Sequence, residues 1–234
     1  MYKTRLIVIG IFTLLLTSIG YSDSLRPDKT FNNDKTPEEE FDASYQSKRF
    51  QYWLSEAKNG DAHAMYVCAY YYETGLGIEK DMNKSYELYK KAADNKYHKA
   101  YLKLALFKHH GKNGERNIKS AVNWYRKSID EGNNDKAMLN LSLLYLYGHG
   151  VEKNEKKAIQ LLNSSAKLDN ISAMIYLANY YQKARIPEKA KAWYEKAGKN
   201  GSEYALFKLG LYYEYSKEKD YKKAEYKYKI IIDN

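Results

Sequence analysis

Residues 64–78, AMYVCAYYYETGLGI, and residues 137–151, AMLNLSLLYLYGHGV, are two copies of one pattern, and they decide the fold. In both stretches an alanine is followed four positions later by an apolar residue, five positions later by a small residue and eight positions later by a tyrosine. Offsets of 0, 4, 5 and 8 lie along one side of an α-helix. Each stretch therefore predicts a helix that leads into a glycine-containing turn.

The alanine that begins this pattern recurs five times, with spacings of 36, 37, 36 and 32 residues. The members of the column are Ala64, Ala100, Ala137, Ala173 and Ala205. We call the helix that contains this alanine the A helix of its repeat, and we count repeat positions from the alanine as position 0. Periods of about 20–50 residues are typical of stacked repeat arrays. The sequence predicts five repeats that start near residues 62, 98, 135, 171 and 203.

A second helix, the B helix, is predicted in every repeat from the residue that begins it. The residues that fit an N-cap are Asp81, Asn117, Asn154 and Asp220. Side chains of these types accept hydrogen bonds from the free N–H groups of the first helical turn. The fourth repeat has Ile186 in this column, and Pro187 follows at the first helical position, where proline loses no hydrogen bond. At the other end, Gly132 and Gly201 are expected to end two B helices in the left-handed conformation.

A single capping helix is predicted before the first repeat. Trp53 and Ala57 repeat the spacing of the B helices, and Gly60 follows them. We expect this helix to cover residues 45–59. Neither helix of a pair can bury its apolar side alone, so only stacking of neighbouring repeats closes the core.

The first 22 residues are typical of a signal peptide. Lys3 and Arg5 precede a mostly apolar run over residues 6–16, and small residues follow up to Ser22. The run is shorter than the roughly 20 apolar residues that span a membrane. We expect cleavage after Ser22, a periplasmic or secreted protein and no stable transmembrane span after cleavage. The alternative is that the segment is retained as an anchor.

Residues 23–44 are predicted to be a disordered linker, because they contain Pro27, Pro37 and long polar runs. Cleavage would remove Lys3 and Arg5 and lower the formal net charge from +10 to +8. For an exported protein such a charge disfavours nucleic acid as the partner and favours acidic proteins, or a weak association with an anionic envelope surface. The alternative is that the lysines only coat solvent-facing helix surfaces.

The turn between the two helices carries a family resemblance. Residues 72–78 read YETGLGI and residues 145–151 read YLYGHGV, and each turn leads into the columns of a B helix. Two helices, this turn and the period together resemble the Sel1-like repeat, a relative of the tetratricopeptide repeat, over roughly residues 45–232. Repeat two departs from the pattern at residues 110–114, and repeat four lacks the glycine pair. The resemblance implies an all-α fold, a right-handed α-solenoid of about five helical hairpins with an N-terminal capping helix.

The resemblance also implies a function. Sel1-like proteins are adaptor scaffolds, and several exported bacterial members resemble immunity proteins that neutralise toxins such as phospholipases. It suggests a non-enzymatic scaffold of the bacterial envelope whose partner is another protein. The alternative is an enzyme acting on cell-wall or β-lactam substrates, as suggested for a cysteine-rich exported branch. That branch carries a cysteine pair in each repeat, whereas this chain has Cys68 alone.

In related arrays the A helices line a concave face with residues that lie between the core columns. Here the residues so placed are Tyr66, Tyr70, Leu102, Leu106, His109, Leu139, Leu143, Tyr147, Ile175, Asn179, Gln182, Phe207, Leu211 and Tyr215. A surface this rich in tyrosine and leucine suits a protein ligand, because tyrosine supplies large contact area at low entropic cost. The alternative is that many of these side chains fill contacts between adjacent A helices.

The chain offers no pattern of catalytic residues, metal ligands or cofactor-binding residues. Cys68 occupies a column that is leucine in every other repeat, which indicates a buried apolar role. His109 and His110 are adjacent, so their side chains would point about 100° apart on a helix, which is unfavourable for a metal site. We therefore expect no metal and no cofactor.

The C-terminal edge is a second candidate contact surface. The last helix ends in three isoleucines, among them Ile230 and Ile232. Terminal repeats usually present a polar outer face. We therefore expect this edge to contact either a second copy of the chain or a partner.

Overall fold

The computed structural model describes residues 43–114, 116–216 and 219–233, and these residues form eleven α-helices and no strand. The helices are α1 Ala43–Lys58, α2 Ala62–Thr74, α3 Met82–Asp94, α4 Lys99–His110, α5 Ile118–Gly132, α6 Asp135–Tyr147, α7 Glu155–Lys167, α8 Ile171–Lys183, α9 Pro187–Lys199, α10 Glu203–Tyr215 and α11 Tyr221–Asp233. The predicted all-α fold is confirmed. Helix α1 begins two residues inside the predicted linker, and the rest of that linker and the predicted signal peptide lie outside the described residues.

The helices stack as a solenoid. Helix α1 packs on α2, each A helix (α2, α4, α6, α8 and α10) packs on the B helix that follows it, and each B helix packs on the next A helix. The alanines at position 0 are completely buried in all five repeats. Since each B helix before α11 is shared between two repeats, the apolar core runs along the array.

The predicted N-caps of the B helices are confirmed. The carboxylate of Asp81 accepts hydrogen bonds from the backbone N–H groups of Asn83 and Lys84. The side chains of Asn117, Asn154 and Asp220 each accept one from the residue three positions later. At Ile186 the side chain makes no capping bond, and Pro187 stands in the first turn, as predicted.

The turn between the helices is closed by the same backbone hydrogen bond in every repeat. The N–H of the B-helix cap donates to the carbonyl oxygen at position 8 of the A helix, at 2.8–2.9 Å. The donor–acceptor pairs are Asp81–Tyr72, Asn117–Lys108, Asn154–Tyr145, Ile186–Tyr181 and Asp220–Tyr213. Because this bond fixes both ends of the turn, the shorter turn of repeat four fits without changing the hairpin.

One residue before each A helix has the left-handed backbone conformation, and the sequence indicates only some of these residues. This residue lies at position −4 in every repeat, as Gly60, Lys96, Asn133, Asp169 and Gly201. The expectation for Gly201 is confirmed, with φ +88°. The expectation for Gly132 is wrong, because Gly132 is the last residue of α5 and Asn133 takes the left-handed conformation at φ 44°. Gly132 packs beside the ring of His98, where a Cβ would lie at an ordinary contact distance of 3.4 Å from His98 Cδ2.

Among residues 43–114, 116–216 and 219–233, no helix is both long and apolar enough to cross a membrane.

Candidate protein-binding face of the A helices

One side of the A helices stays open along the array. It consists of repeat positions −1, 3, 6 and 10, whose spacings of four, three and four residues place them on one face of a helix. We call this set the open stripe. Its members are His63, Val67, Tyr70, Thr74, Lys99, Lys103, Leu106, His110, Lys136, Asn140, Leu143, Tyr147, Ser172, Tyr176, Asn179, Lys183, Tyr204, Lys208, Leu211 and Tyr215. All of them except Val67 are half-buried or exposed.

Seven of the predicted contact residues lie on the open stripe. Position 6 contributes a mostly apolar, half-buried column of Tyr70, Leu106, Leu143, Asn179 and Leu211. Position 10 contributes Tyr147 and Tyr215, whose side chains are 64% and 68% exposed. These tyrosines are the most exposed large apolar side chains of the described A helices. The stripe therefore presents apolar contact area to solvent in several consecutive repeats.

The predicted residues at position 2 belong to the packing between repeats. Tyr66, Leu102, Leu139 and Ile175 are half-buried and pack against the core. Phe207 is only 6% exposed, and its ring lies 6.1 Å from the ring of Tyr228. Its placement on an open face is therefore wrong, because α11 covers this side of α10. The neighbours shown for this column are B-helix rings, Tyr89 beside Tyr66 and Tyr228 beside Phe207, rather than adjacent A helices.

The polar residues at position 9 are partners of buried tyrosines. In four repeats a B-helix tyrosine bonds to this position, in the pairs Tyr89–Glu73, Tyr125–His109, Tyr194–Gln182 and Tyr228–Glu214. In repeat three the equivalent residues, Leu146 and Leu162, are both leucine. The hydroxyl oxygen of Tyr194 lies 2.6 Å from Asn179 Oδ1 and 2.9 Å from Gln182 Oε1, and its single proton is donated to the nearer Asn179. His109, Gln182 and Asn179 thus complete the core, where a buried hydroxyl requires a partner.

Glu73 forms a buried charge cluster that the sequence analysis missed. Its carboxylate oxygens lie 2.9 Å from Lys103 Nζ and 2.7 Å from Lys112 Nζ, and Tyr89 donates a third hydrogen bond. Burial acts to raise the pKa of Glu73, but the two lysines outweigh it and hold that pKa below its usual value. Two ammonium groups share one carboxylate, so the cluster has a net charge of +1. The residues come from two repeats 30 positions or more apart, which explains why sequence spacing did not indicate them.

The predicted C-terminal edge lies on α11. Ile232 is exposed and Ile230 is half-buried, and among the described residues of α11 only Ala224 is buried. The position that is completely buried in the earlier B helices, as Ala92, Ser128, Ser165 and Ala197, is taken here by Ile231.

The cysteine prediction is confirmed. Cys68 is completely buried, and burial raises the pKa of its thiol to about 11. A thiol of this kind is a poor nucleophile at neutral pH. Within the described part of the chain, no three His, Cys, Asp or Glu side chains are grouped so as to hold a metal ion.

Comparison with known families identifies five repeats of one kind. The Sel1 repeat family model matches residues 62–97, 98–133, 135–170, 171–202 and 203–226. These matches start at the same residues as the repeats delineated by the alanine column. They cover most of the chain.

Known proteins share this architecture. A Sel1 repeat protein from Oxalobacter formigenes superposes with a TM-score of 0.71 at 25% identity, covering 80% of this chain and 79% of that one. Immunity protein Pa5087 from Pseudomonas aeruginosa has a TM-score of 0.52 at 21% identity, over 93% and 78% of the two chains, and shows the fold alone. Chitin synthase regulatory factor 3 of Schizosaccharomyces pombe is 27% identical over 174 residues, which are 70% of this chain. That match spans only 18% of the regulatory factor.

Proposed function

The chain belongs to the Sel1 repeat family, and from that premise we propose that it is a non-catalytic scaffold that binds another protein on the open stripe. The observation that carries the proposal is the apolar surface of the stripe. Half-buried Leu143 and exposed Tyr147 share the open face of α6, and half-buried Leu211 and exposed Tyr215 share that of α10. Apolar and aromatic side chains that remain accessible in a row are typical of protein interfaces.

The test compares tyrosines of equal exposure on and off the stripe. The tagged protein is cross-linked in its source cells and purified, and captured proteins are identified. We expect the double substitution Tyr147→Ser and Tyr215→Ser to abolish capture of the partner. The matched control is Tyr52→Ser with Tyr226→Ser, since these side chains are 59% and 61% exposed but lie on α1 and α11. Equal loss in both variants, or no loss in the first, would reject the stripe as the binding face.

We further propose that the protein works in the bacterial envelope, either periplasmic or secreted. The support is the sequence of residues 1–22, with its basic start, short apolar run and small residues before Asp23. The measurement is cell fractionation with sequencing of the N-terminus of the purified protein. An N-terminus at Asp23 in the envelope or medium fraction is expected. A chain that retains residues 1–22 in the membrane fraction would support the anchor instead.

An immunity protein is the specific form of this scaffold that we propose. The support is the fold shared with immunity protein Pa5087, together with the apolar open stripe. The test is co-expression and pull-down with the product of the adjacent gene, where this gene encodes a lipase or another toxin. Binding that protects cells from the toxin is expected. A toxin encoded beside this gene that the purified protein does not bind would refute the immunity function and leave the scaffold function intact.

The proposed non-catalytic role is tested separately, by an assay for β-lactam turnover. The described residues place the single thiol, Cys68, in the core, away from solvent. We expect no turnover of a chromogenic β-lactam by the purified protein. Turnover that a point substitution on the open stripe abolishes would replace the scaffold with an enzyme.

A further inference from the structure

The open stripe carries basic residues and no acidic ones. Its lysines are Lys99, Lys103, Lys136, Lys183 and Lys208, and no Asp or Glu occupies any of its positions in the five repeats. The carboxylate that contacts a lysine of the stripe in the described residues is Glu73, which stands at position 9 and pairs with Lys103. Charges of one sign along a surface attract ligands of the opposite sign and repel the others.

Two of these lysines are held in place by aromatic rings of the stripe itself. Lys103 Nζ lies 5.5 Å from the centre of the Tyr70 ring, and Lys208 Nζ lies 5.4 Å from that of Tyr204. Such contacts keep an ammonium group close to a ring face at little cost in solvation. A side chain that is already ordered loses less entropy when it binds a carboxylate. These lysines are therefore prepared for an anionic ligand.

The Glu73 cluster is a second feature that favours an anionic ligand at the open stripe. Lys103 is only 13% exposed, and it shares the Glu73 carboxylate with Lys112. The second ammonium group, Lys112, is 32% exposed, so the excess positive charge of the cluster is accessible to an anionic ligand. A carboxylate that approaches Lys103 and Lys112 from the open stripe would complete the compensation.

The apolar column at position 6 favours a polypeptide ligand over polyphosphate or nucleic acid. Leu106, Leu143 and Leu211 occupy position 6 of the stripe, among lysines at its other positions, and are half-buried. Leu106 also packs against the core with part of its surface. A polyphosphate or a nucleic acid backbone gains nothing from leucine, and it is held best by densely spaced cations. A polypeptide with acidic and apolar side chains would use both the lysines and the leucines.

We propose that the open stripe recognises an acidic polypeptide segment of its partner, whose carboxylates pair with Lys99, Lys103 and Lys136 and whose apolar side chains contact Leu106 and Leu143. This inference rests on the proposed scaffold function, and it specifies the chemistry of the ligand. Lys99 and Lys103 are four residues apart on α4, and Lys136 of α6 is near enough to Lys103 to act on it electrostatically. A single segment that crosses α4 and α6 can therefore contact all three lysines.

The experiment selects ligands from a random 16-residue peptide library displayed on phage, with the purified protein as bait. We expect the enriched peptides to be rich in Asp, Glu and apolar residues. Their affinity should fall about tenfold or more for the variant Lys99→Glu with Lys136→Glu, because like charges then face each other. The control variant, Lys90→Glu with Lys156→Glu, changes two exposed lysines of B helices and has the same net charge. It should bind as the unsubstituted protein does.

The outcomes separate this inference from the scaffold function. Enriched peptides that are not acidic, or equal losses in the two variants, would overturn the acidic ligand while the scaffold function stands. A library that yields no binder to the stripe would reject both. Inorganic polyphosphate serves as the second probe. If it displaces the selected peptides and binds with equal affinity, the stripe is a polyanion site and the acidic polypeptide is rejected.

Discussion

His109 and Tyr125 differ from the other tyrosine pairs because the histidine takes up a proton near neutral pH in the unfolded chain but not in the folded protein. Tyr125 is completely buried, and its hydroxyl lies 2.8 Å from His109 Nδ1. Burial lowers the pKa of His109 from 6.5 to about 4, and His110, Arg116 and His149 add to the shift. In the unfolded chain the same ring takes up a proton at higher pH, so acidification favours unfolding.

We expect the free energy of unfolding to decrease as the pH falls from 7 to 5, and His109→Gln to remove part of that decrease. Glutamine is the residue that repeat four carries at this position, where the side-chain amide of Gln182 lies 2.9 Å from the hydroxyl of Tyr194. The difference between the two proteins should be about 1 kcal/mol, less than the full shift would give because the ring is only half-buried. Urea unfolding of both proteins at pH 7 and pH 5 measures this difference in pH dependence. His110 is present in both proteins, so its contribution cancels in the comparison. Parallel pH dependence would show that His109 does not couple to folding.

Two serines of the same column should respond oppositely to alanine. Ser165 and Ser128 are both completely buried. Ser165 Oγ donates to the carbonyl oxygen of Asp135 at 2.8 Å. Ser128 Oγ has no hydrogen-bond partner among the described residues. A buried hydroxyl without a partner costs free energy, and its removal restores the loss. We expect Ser128→Ala to raise the free energy of unfolding by about 0.5–1 kcal/mol and Ser165→Ala to lower it by about 1 kcal/mol. Denaturant titration of both variants gives the values, and a loss of stability in Ser128→Ala would be inconsistent with an unpartnered hydroxyl.

At the scale of the helix, the caps account for where each B helix begins. Four side chains bond to the first turn, and the backbone bond to position 8 holds the cap beside the A helix. Helix α9 is the exception, since it begins after Ile186 without a side-chain cap and relies on Pro187. Among the described B helices, α9 is the one that begins without a side-chain cap.

Adding a cap to α9 should therefore stabilise the protein. We expect Ile186→Asp to raise the free energy of unfolding by about 1 kcal/mol, because the new carboxylate accepts from the free N–H groups of the first turn. Ile186 is an exposed side chain, so little apolar burial is lost. Ile186→Ala is the control that removes the isoleucine without adding a cap. Thermal unfolding of the two variants decides the question, and equal melting temperatures would mean that the backbone at residue 186 does not permit capping.

For the whole molecule, the unusual end of the array is the three-isoleucine sequence of α11. Ile231 stands where earlier B helices carry a completely buried Ala or Ser beneath the next A helix. With isoleucine in place of Ala or Ser, another helix cannot pack at this position in the same way. Exposed Ile232 extends the apolar surface of this edge. The hypothesis of a contact surface at this edge is independent of the open stripe.

Substitution of Ile230 and Ile232 by Lys tests the edge. We expect the variant to lose self-association or partner capture while it keeps the melting temperature of the unsubstituted protein, because neither residue is fully buried. Sedimentation velocity and the cross-linking capture described above give the two readouts. Tyr221→Lys with Tyr226→Lys, two exposed positions of the same helix, controls for added charge. Unchanged association and unchanged capture would remove the edge as a contact surface.

The sequence by itself determined the all-helical fold, the repeat period, the B-helix caps and the buried role of Cys68. These features depend on spacing within one repeat, and the repetition of each column in several copies makes the spacing visible. Tertiary structure decided which side of the A helices is open, because that depends on how adjacent elements cover each column. Phe207 shows the difference: it has the same spacing as Leu139, yet the ring of Tyr228 helps to bury it. Lys103 is a second example, because its partner Glu73 belongs to another repeat and lies beside it only after the repeats have stacked.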